Sequence, residues 1–308
     1  MAGANRFQIQ TETPVSAYSV LTAVMIIFCF TANMSYAQDS SSQDIANDKV
    51  SASELRREVI NSFGRSRRND PEYAKKRGMI PTGLTPKFDE GVNCRGIDDY
   101  WAMDYSQKRG REAYHGGIDI PAPQGTPIVA VADGVVVAKF MNEGNPKGIE
   151  IMLRHSPQDT GHPIWIYTQY THLLEMPTLD VGRRLRMGEV IGKTSNSGIS
   201  GREAKRRHGS GRGSGLSGGS GVRRHALHFG VLYSASRKYM KNEKQLIPVD
   251  AYWMDLNALY RKLPPFDSAS LKSLPENQKK VPIPYMLSNG EVVPAETKLI
   301  WPYSCSLK

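Results

Sequence analysis

Four side chains able to hold a metal ion or work beside one stand at the ends or edges of strand-like segments in this 308-residue sequence. In "YHGGIDIPAPQGTPI", His115 and Asp119 lie four residues apart. On an extended strand that spacing puts both on one face, and Gly116 and Gly117 between them let another chain approach closely. A neutral imidazole and a carboxylate are two of the ligand types zinc accepts, although a surface histidine beside a turn aspartate shows the same spacing. In "YTQYTHLLE", Tyr170 and His172 share a face at a strand end, where a histidine is equally a plain edge residue. In "VRRHALHFGV", His225 and His228 point to opposite faces of a regular strand. His228, between Leu227 and Phe229, also fits the pattern of a core histidine. His155 and His162, near a turn containing Pro and Gly, read as structural or solvated.

The elements that must position these residues are short strands. "TPIVAVA" and "VVVAKF" flank Asp133-Gly134, a strong hairpin signal, and "GIEIMLRH", "IWIYTQYTHL", "GEVIGKT" and "HALHFGVLYS" follow. Repeated strands without an intervening helical period predict a mostly β, antiparallel protein. Asp250 to Leu263 has helical spacing with Asp250 as N-cap, which predicts a peripheral helix outside the sheet. "ELRREVINSFGRSRR" predicts a short, solvated helix, and residues 38–94 as a whole read as a linker and a wrapping extension. Residues 264–308, rich in proline, predict an extended C-terminal segment.

The net charge of +10 points to anionic partners. Gly201 to Arg224 is an insert of Gly, Ser and Arg that cannot add to a core. It is similar to a nucleic-acid arm but lacks aromatic residues for base stacking, so a basic surface loop is expected and no nucleic-acid partner. Ala17 to Ala32 is an apolar run followed by Ser35 and Ala37 at signal-peptidase offsets. Residues 1–37 are therefore expected to be a signal peptide or, as the alternative, an N-terminal anchor that would keep the domain near a membrane. Export would leave Cys94 and Cys305, which either pair or stay free. A disulfide closing so long a loop would contribute on the order of 5 kcal/mol.

The order of motifs adds what no single spacing gives. HxxxD followed by Gly-Thr-Pro, Asp-Gly, Tyr-x-His-Leu, a Gly-x-x-Ile-Gly segment and Leu-His-Phe closely resembles the lysostaphin-like, LytM-type zinc metallopeptidases over Tyr114 to Ser234. The resemblance implies a compact antiparallel sheet of the duplicated hybrid motif type, crossed by a groove, spanning residues 95–263 here. It implies a zinc endopeptidase that cuts peptide cross-links of bacterial peptidoglycan in the periplasm or cell envelope. By position it implies His115, Asp119 and His228 as ligands of one zinc ion and His172 as a catalytic histidine.

One position departs from the family. Ala226 stands where the family's His-x-His has its first histidine, and alanine can neither shuttle a proton nor donate a hydrogen bond. A β-bulge between residues 225 and 228 would bring His225 to the site as a second catalytic histidine; His208, in the insert, is a weaker substitute. Without either, the alternative reading is a catalytically degenerate relative that binds cell wall or activates an amidase. The insert, ending beside His228, is expected at the rim of the site.

Overall fold

The computed structural model describes residues 45–63, 71–97, 115–142, 147–198 and 224–308. The apolar run at 17–32, the expected cleavage site and the insert up to residue 223 lie outside them. Among the described residues no helix is long and apolar enough to cross a membrane.

The strands in chain order are β1 (Lys49–Val50), β2 (Thr85–Lys87), β3 (Val92–Asn93), β4 (Ile118–Pro121), β5 (Pro127–Val129), β6 (Gly134–Asn142) and β7 (Gly148–His155). They continue with β8 (Trp165–Thr171), β9 (Arg184–Leu185), β10 (Val190–Lys193), β11 (Ala226–Ser234), β12 (Tyr239–Lys241), β13 (Leu246–Pro248) and β14 (Tyr252–Met254). A seven-stranded sheet runs β14-β11-β8-β7-β6-β9, with β4 also paired to β11. Its pairs are antiparallel, as the β-branched, turn-bounded runs predict.

One face of this sheet is core. Leu227, Phe229, Ile151 and Tyr170 are wholly buried there, the Tyr170 and Phe229 rings are 4.8 Å apart, and the Tyr170 hydroxyl accepts from the Val131 N–H at 3.2 Å. Val131 belongs to a second layer. In it β5 pairs with β10, and the C-terminal segment adds backbone bonds from Val129 N to the Pro302 carbonyl and from Ile300 N to the Val131 carbonyl.

Asp133-Gly134 therefore does not close a hairpin between β5 and β6, as the dipeptide predicts. β5 turns away to β10, while β6 pairs with β7 and β9. The glycine serves His155 instead: a Cβ at Gly134 would stand 2.5 Å from His155 Nδ1, and that nitrogen donates to the Asp133 carbonyl at 2.6 Å.

The helix expected over 250–263 is one turn, Leu256–Leu259, capped by Asp255 rather than Asp250. Tyr252–Met254 spend their backbone groups on the edge of β11. Asp250 takes a left-handed φ of 53° and accepts from Arg56 Nε at 2.7 Å. The turn is also not peripheral, since Leu256, Asn257, Ala258 and Leu259 are all buried.

Nor is the N-terminal helix solvated. Arg57–Phe63 buries Val59, Ser62 and Phe63, and Phe63 stacks on Trp253 at 4.9 Å. Buried Asp48 pairs with Arg154 at 2.6 Å and Arg237 at 2.8 Å, tying β1 to the sheet. At the other end Lys280–Pro282 runs parallel to β2, Ser306–Leu307 pairs with β3, and Cys94 is disulfide-bonded to Cys305. The described residues thus form one compact unit, and the segments read as extensions supply part of its core.

Candidate metal centre

Asp119 on β4, His228 on β11, Thr171 on β8 and Glu150 on β7 lie opposite one another in register. Residues opposite in register project from the same face, so a single cross-strand row runs along the sheet face away from Phe229 and Tyr170. His115 joins the row from outside. It precedes β4, and the chain bends at Gly116 and Gly117 before the strand begins. The bend, not extended spacing, brings His115 back over Asp119. Both glycines are sterically required: a Cβ at Gly116 would meet the Trp253 ring at 2.6 Å, and one at Gly117 would stand 2.4 Å from the Phe229 carbonyl oxygen.

Three donor atoms converge. His115 Nε2 lies 3.1 Å from Asp119 Oδ1, His228 Nδ1 lies 2.9 Å from the same oxygen, and the two nitrogens are 3.0 Å apart. If both nitrogens carried protons to share the carboxylate oxygen, two N–H groups would face each other. A cation removes that conflict by taking one lone pair from each atom, and two imidazoles plus a carboxylate are a donor set zinc accepts. The side chains keep 11%, 9% and 12% exposure for His115, Asp119 and His228. The set is thus largely desolvated yet still reachable. Burial alone would raise the Asp119 carboxyl; facing His115 and His228 outweighs this and holds it well below the usual carboxylate range. The carboxylate is therefore ready to ligate at neutral pH.

His172 reaches this face by a different route. Alternation along β8 would send it to the core side with Tyr170, because Thr171 occupies the row with His228. A left-handed φ of 65° at His172 breaks the alternation and brings its ring to 5.9 Å from that of His228. The conformation costs on the order of 1–3 kcal/mol for a residue with a Cβ. The shared face expected for Tyr170 and His172 is therefore not formed. His172 Nδ1 lies 2.9 Å from the Lys147 carbonyl and 3.0 Å from the Ser197 carbonyl. Carbonyls only accept, so Nδ1 carries the proton and Nε2 holds the lone pair of the neutral ring.

His225 does not join the cluster. The pairing of β11 with β4 is unbroken from Ala226 to Phe229, which leaves no bulge between Ala226 and His228. His225 precedes the strand, and its Nδ1 is buried with no hydrogen-bond partner among the described residues. A one-residue shift would have required an extra residue in a ladder already filled by Leu227 opposite Ile120. Ala226 shares the His228 face and brings no polar side-chain atom; its N–H donates to the Ser195 carbonyl at 3.2 Å. His155 and His162 are structural: His155 Nε2 bonds the Thr168 hydroxyl and His162 Nε2 the Leu259 carbonyl.

Residues 113–208 match the profile of Peptidase family M23. The chain carries an M23 peptidase domain. The match includes His115, Asp119 and His172 and stops within the insert, so the fold, not the matched stretch, brings His228 to them. The domain is 38% identical over 86 residues to the DD-carboxypeptidase/endopeptidase Mpg of Neisseria meningitidis, a stretch covering 28% of this chain and 17% of that protein. It is 36% identical over 84 residues to the peptidoglycan DD-endopeptidase ShyC of Vibrio cholerae, covering 27% of this chain and 17% of the relative. The matched stretch thus spans about a sixth of these relatives. Among solved structures, LytU shares 23% identity at a TM-score of 0.32, covering 48% of this chain and 79% of that one.

Proposed function

We propose that this M23 domain is a zinc-dependent metalloendopeptidase that cleaves peptide cross-links of bacterial peptidoglycan. The observation that carries the reading is the meeting of His115 Nε2, Asp119 Oδ1 and His228 Nδ1 within 3.1 Å of one another, in a domain whose relatives include a peptidoglycan endopeptidase. His115, Asp119 and His228 would hold one zinc ion and leave a fourth position open. Zinc at such a site supplies Lewis-acid polarisation of a carbonyl and a bound water acidic near neutrality. His172, with Nδ1 committed to two carbonyls, offers Nε2 to take a proton at the site; once protonated, the same atom can donate to a developing oxyanion. The substrate's setting makes export to the periplasm or cell envelope part of the proposal.

A second reading is favoured by one residue. Ala226 leaves His172 as the one histidine beside the metal set among the described residues, which fits a degenerate relative that binds cell wall or activates an amidase. Metal analysis and muropeptide release from intact peptidoglycan, with and without chelator, separate the two. The enzyme reading expects one zinc per chain and release that chelation stops and zinc restores. Bound zinc with no release would instead establish the degenerate reading, and absence of stoichiometric zinc would sink the metal centre itself.

A further inference from the structure

Glu150 is wholly buried, in the same cross-strand row as Asp119 and His228 and two strands from the latter. A carboxylate there is expensive unless paired, and removing one partner of a buried pair costs more than the pair contributes. Its partners are Lys147 Nζ, 3.2 Å away, and Gln169 Nε2. Lys147 is the residue whose carbonyl accepts from both the backbone N–H of His172 at 3.2 Å and its ring Nδ1 at 2.9 Å. The neighbouring contacts tighten the same spot. Gly148, at a φ of 63°, packs so closely on Ser197 that a Cβ would stand 2.3 Å from its carbonyl carbon. Ile149 N donates to Ser197 Oγ at 3.1 Å, while the Ser197 carbonyl takes the other share of the His172 ring proton. His172 sits in a left-handed backbone conformation that local preference does not favour, so its ring orientation must be imposed from outside.

We propose that Glu150 is a positioning residue for His172. Through its ion pair with Lys147 it fixes the carbonyl that aligns the His172 ring and keeps the proton on Nδ1. The inference rests on the reading of His172 as the proton-handling group, but its structural half can be measured without turnover.

The test uses the full chain with Glu150→Gln, Lys147→Met and Lys147→Arg. Long-range nitrogen–proton spectra of the imidazoles report the His172 tautomer, identified by the signals absent from His172→Gln. Zinc content and kcat and KM on a cross-linked muropeptide are measured in parallel. The wild type and Lys147→Arg should show the Nδ1–H pattern. Glu150→Gln and Lys147→Met should lose it to mixed tautomers, with kcat down about 10- to 100-fold, KM unchanged and zinc unchanged. An intact His172 pattern in either folded, zinc-loaded variant would overturn the proposal, as would a loss confined to KM. Lys147 is part-exposed, so Lys147→Met keeps the question open to refutation should Glu150→Gln fail to fold. A wild type that cuts nothing would defeat the proposed function alone, since the imidazole spectra would still decide the role of Glu150.

Discussion

Strands β7 and β8 meet histidines at both ends, and the two ends treat the imidazole in opposite ways. At one end, His155 Nδ1 donates to the Asp133 carbonyl and Nε2 bonds the Thr168 hydroxyl, so both nitrogens are spent on the protein itself. Burial pushes this ring down to about 4, and it is neutral at physiological pH. At the other end, His115 and His228 turn one nitrogen each toward a shared carboxylate oxygen, and His172 commits Nδ1 to two backbone carbonyls. A buried histidine alone says nothing about function. What distinguishes the two ends is whether a ring's nitrogens bond separate neighbouring groups, as at His155, or converge with a second imidazole on one carboxylate, as at His115 and His228.

That contrast breaks most visibly at the metal set. His228→Ala should weaken zinc retention by more than about 100-fold and reduce peptidoglycan hydrolysis to background; full zinc after dialysis would show that the cluster is not a metal centre. His172→Ala should cost about 10²–10⁴ in kcat while metal analysis still finds the ion. Loss of zinc in this variant would merge two roles that the geometry keeps separate.

At the opposite end the expected phenotype is stability. Between pH 6.5 and about 4 the unfolded chain takes up a proton at residue 155 that the folded chain refuses. The contribution is therefore complete above about pH 6.5 and lost as pH falls toward about 4, in total on the order of 3 kcal/mol. Acid unfolding of His155→Gln should show a flatter limb over that window, with zinc content unchanged. Any limb that remains would include His162, whose pKa burial lowers in the same direction. The smallest effect belongs to His225→Ala, expected to alter stability by no more than about 0.5 kcal/mol and to leave turnover and metal as they are. A large fall in kcat with metal retained would return His225 to the active site.

Much of the fold was legible because it is written locally. β-branched runs bounded by Gly, Pro and polar residues mark β6, β7, β8 and β11, and their antiparallel pairing follows. Asp133-Gly134 misled because its glycine answers to the His155 ring, a contact 21 residues or more away that no dipeptide preference encodes. The helical spacing of 250–263 misled because the edge of β11 outbid it for the backbone of Tyr252–Met254. The partners of the Arg57–Phe63 helix, Trp253 above all, are equally remote in sequence.

The candidate site divides along the same line. The residue types, their order and the absence of a histidine at position 226 are properties of the sequence by itself. So is the choice of His115, Asp119, His172 and His228, whose motif order gave the resemblance. The tertiary structure alone decided that a glycine bend rather than strand spacing joins His115 to Asp119, and that a left-handed residue turns His172 out of the core. It also decided that the ladder runs unbroken from Ala226 to Phe229 with His225 before it, and that Glu150 lies in one row with Asp119 and His228. The reason is physical: residue identity sets which atoms can bind, whereas register and backbone handedness set where they point. Those are fixed by partners remote in sequence, as His115 and His228 are at a separation of 113 residues.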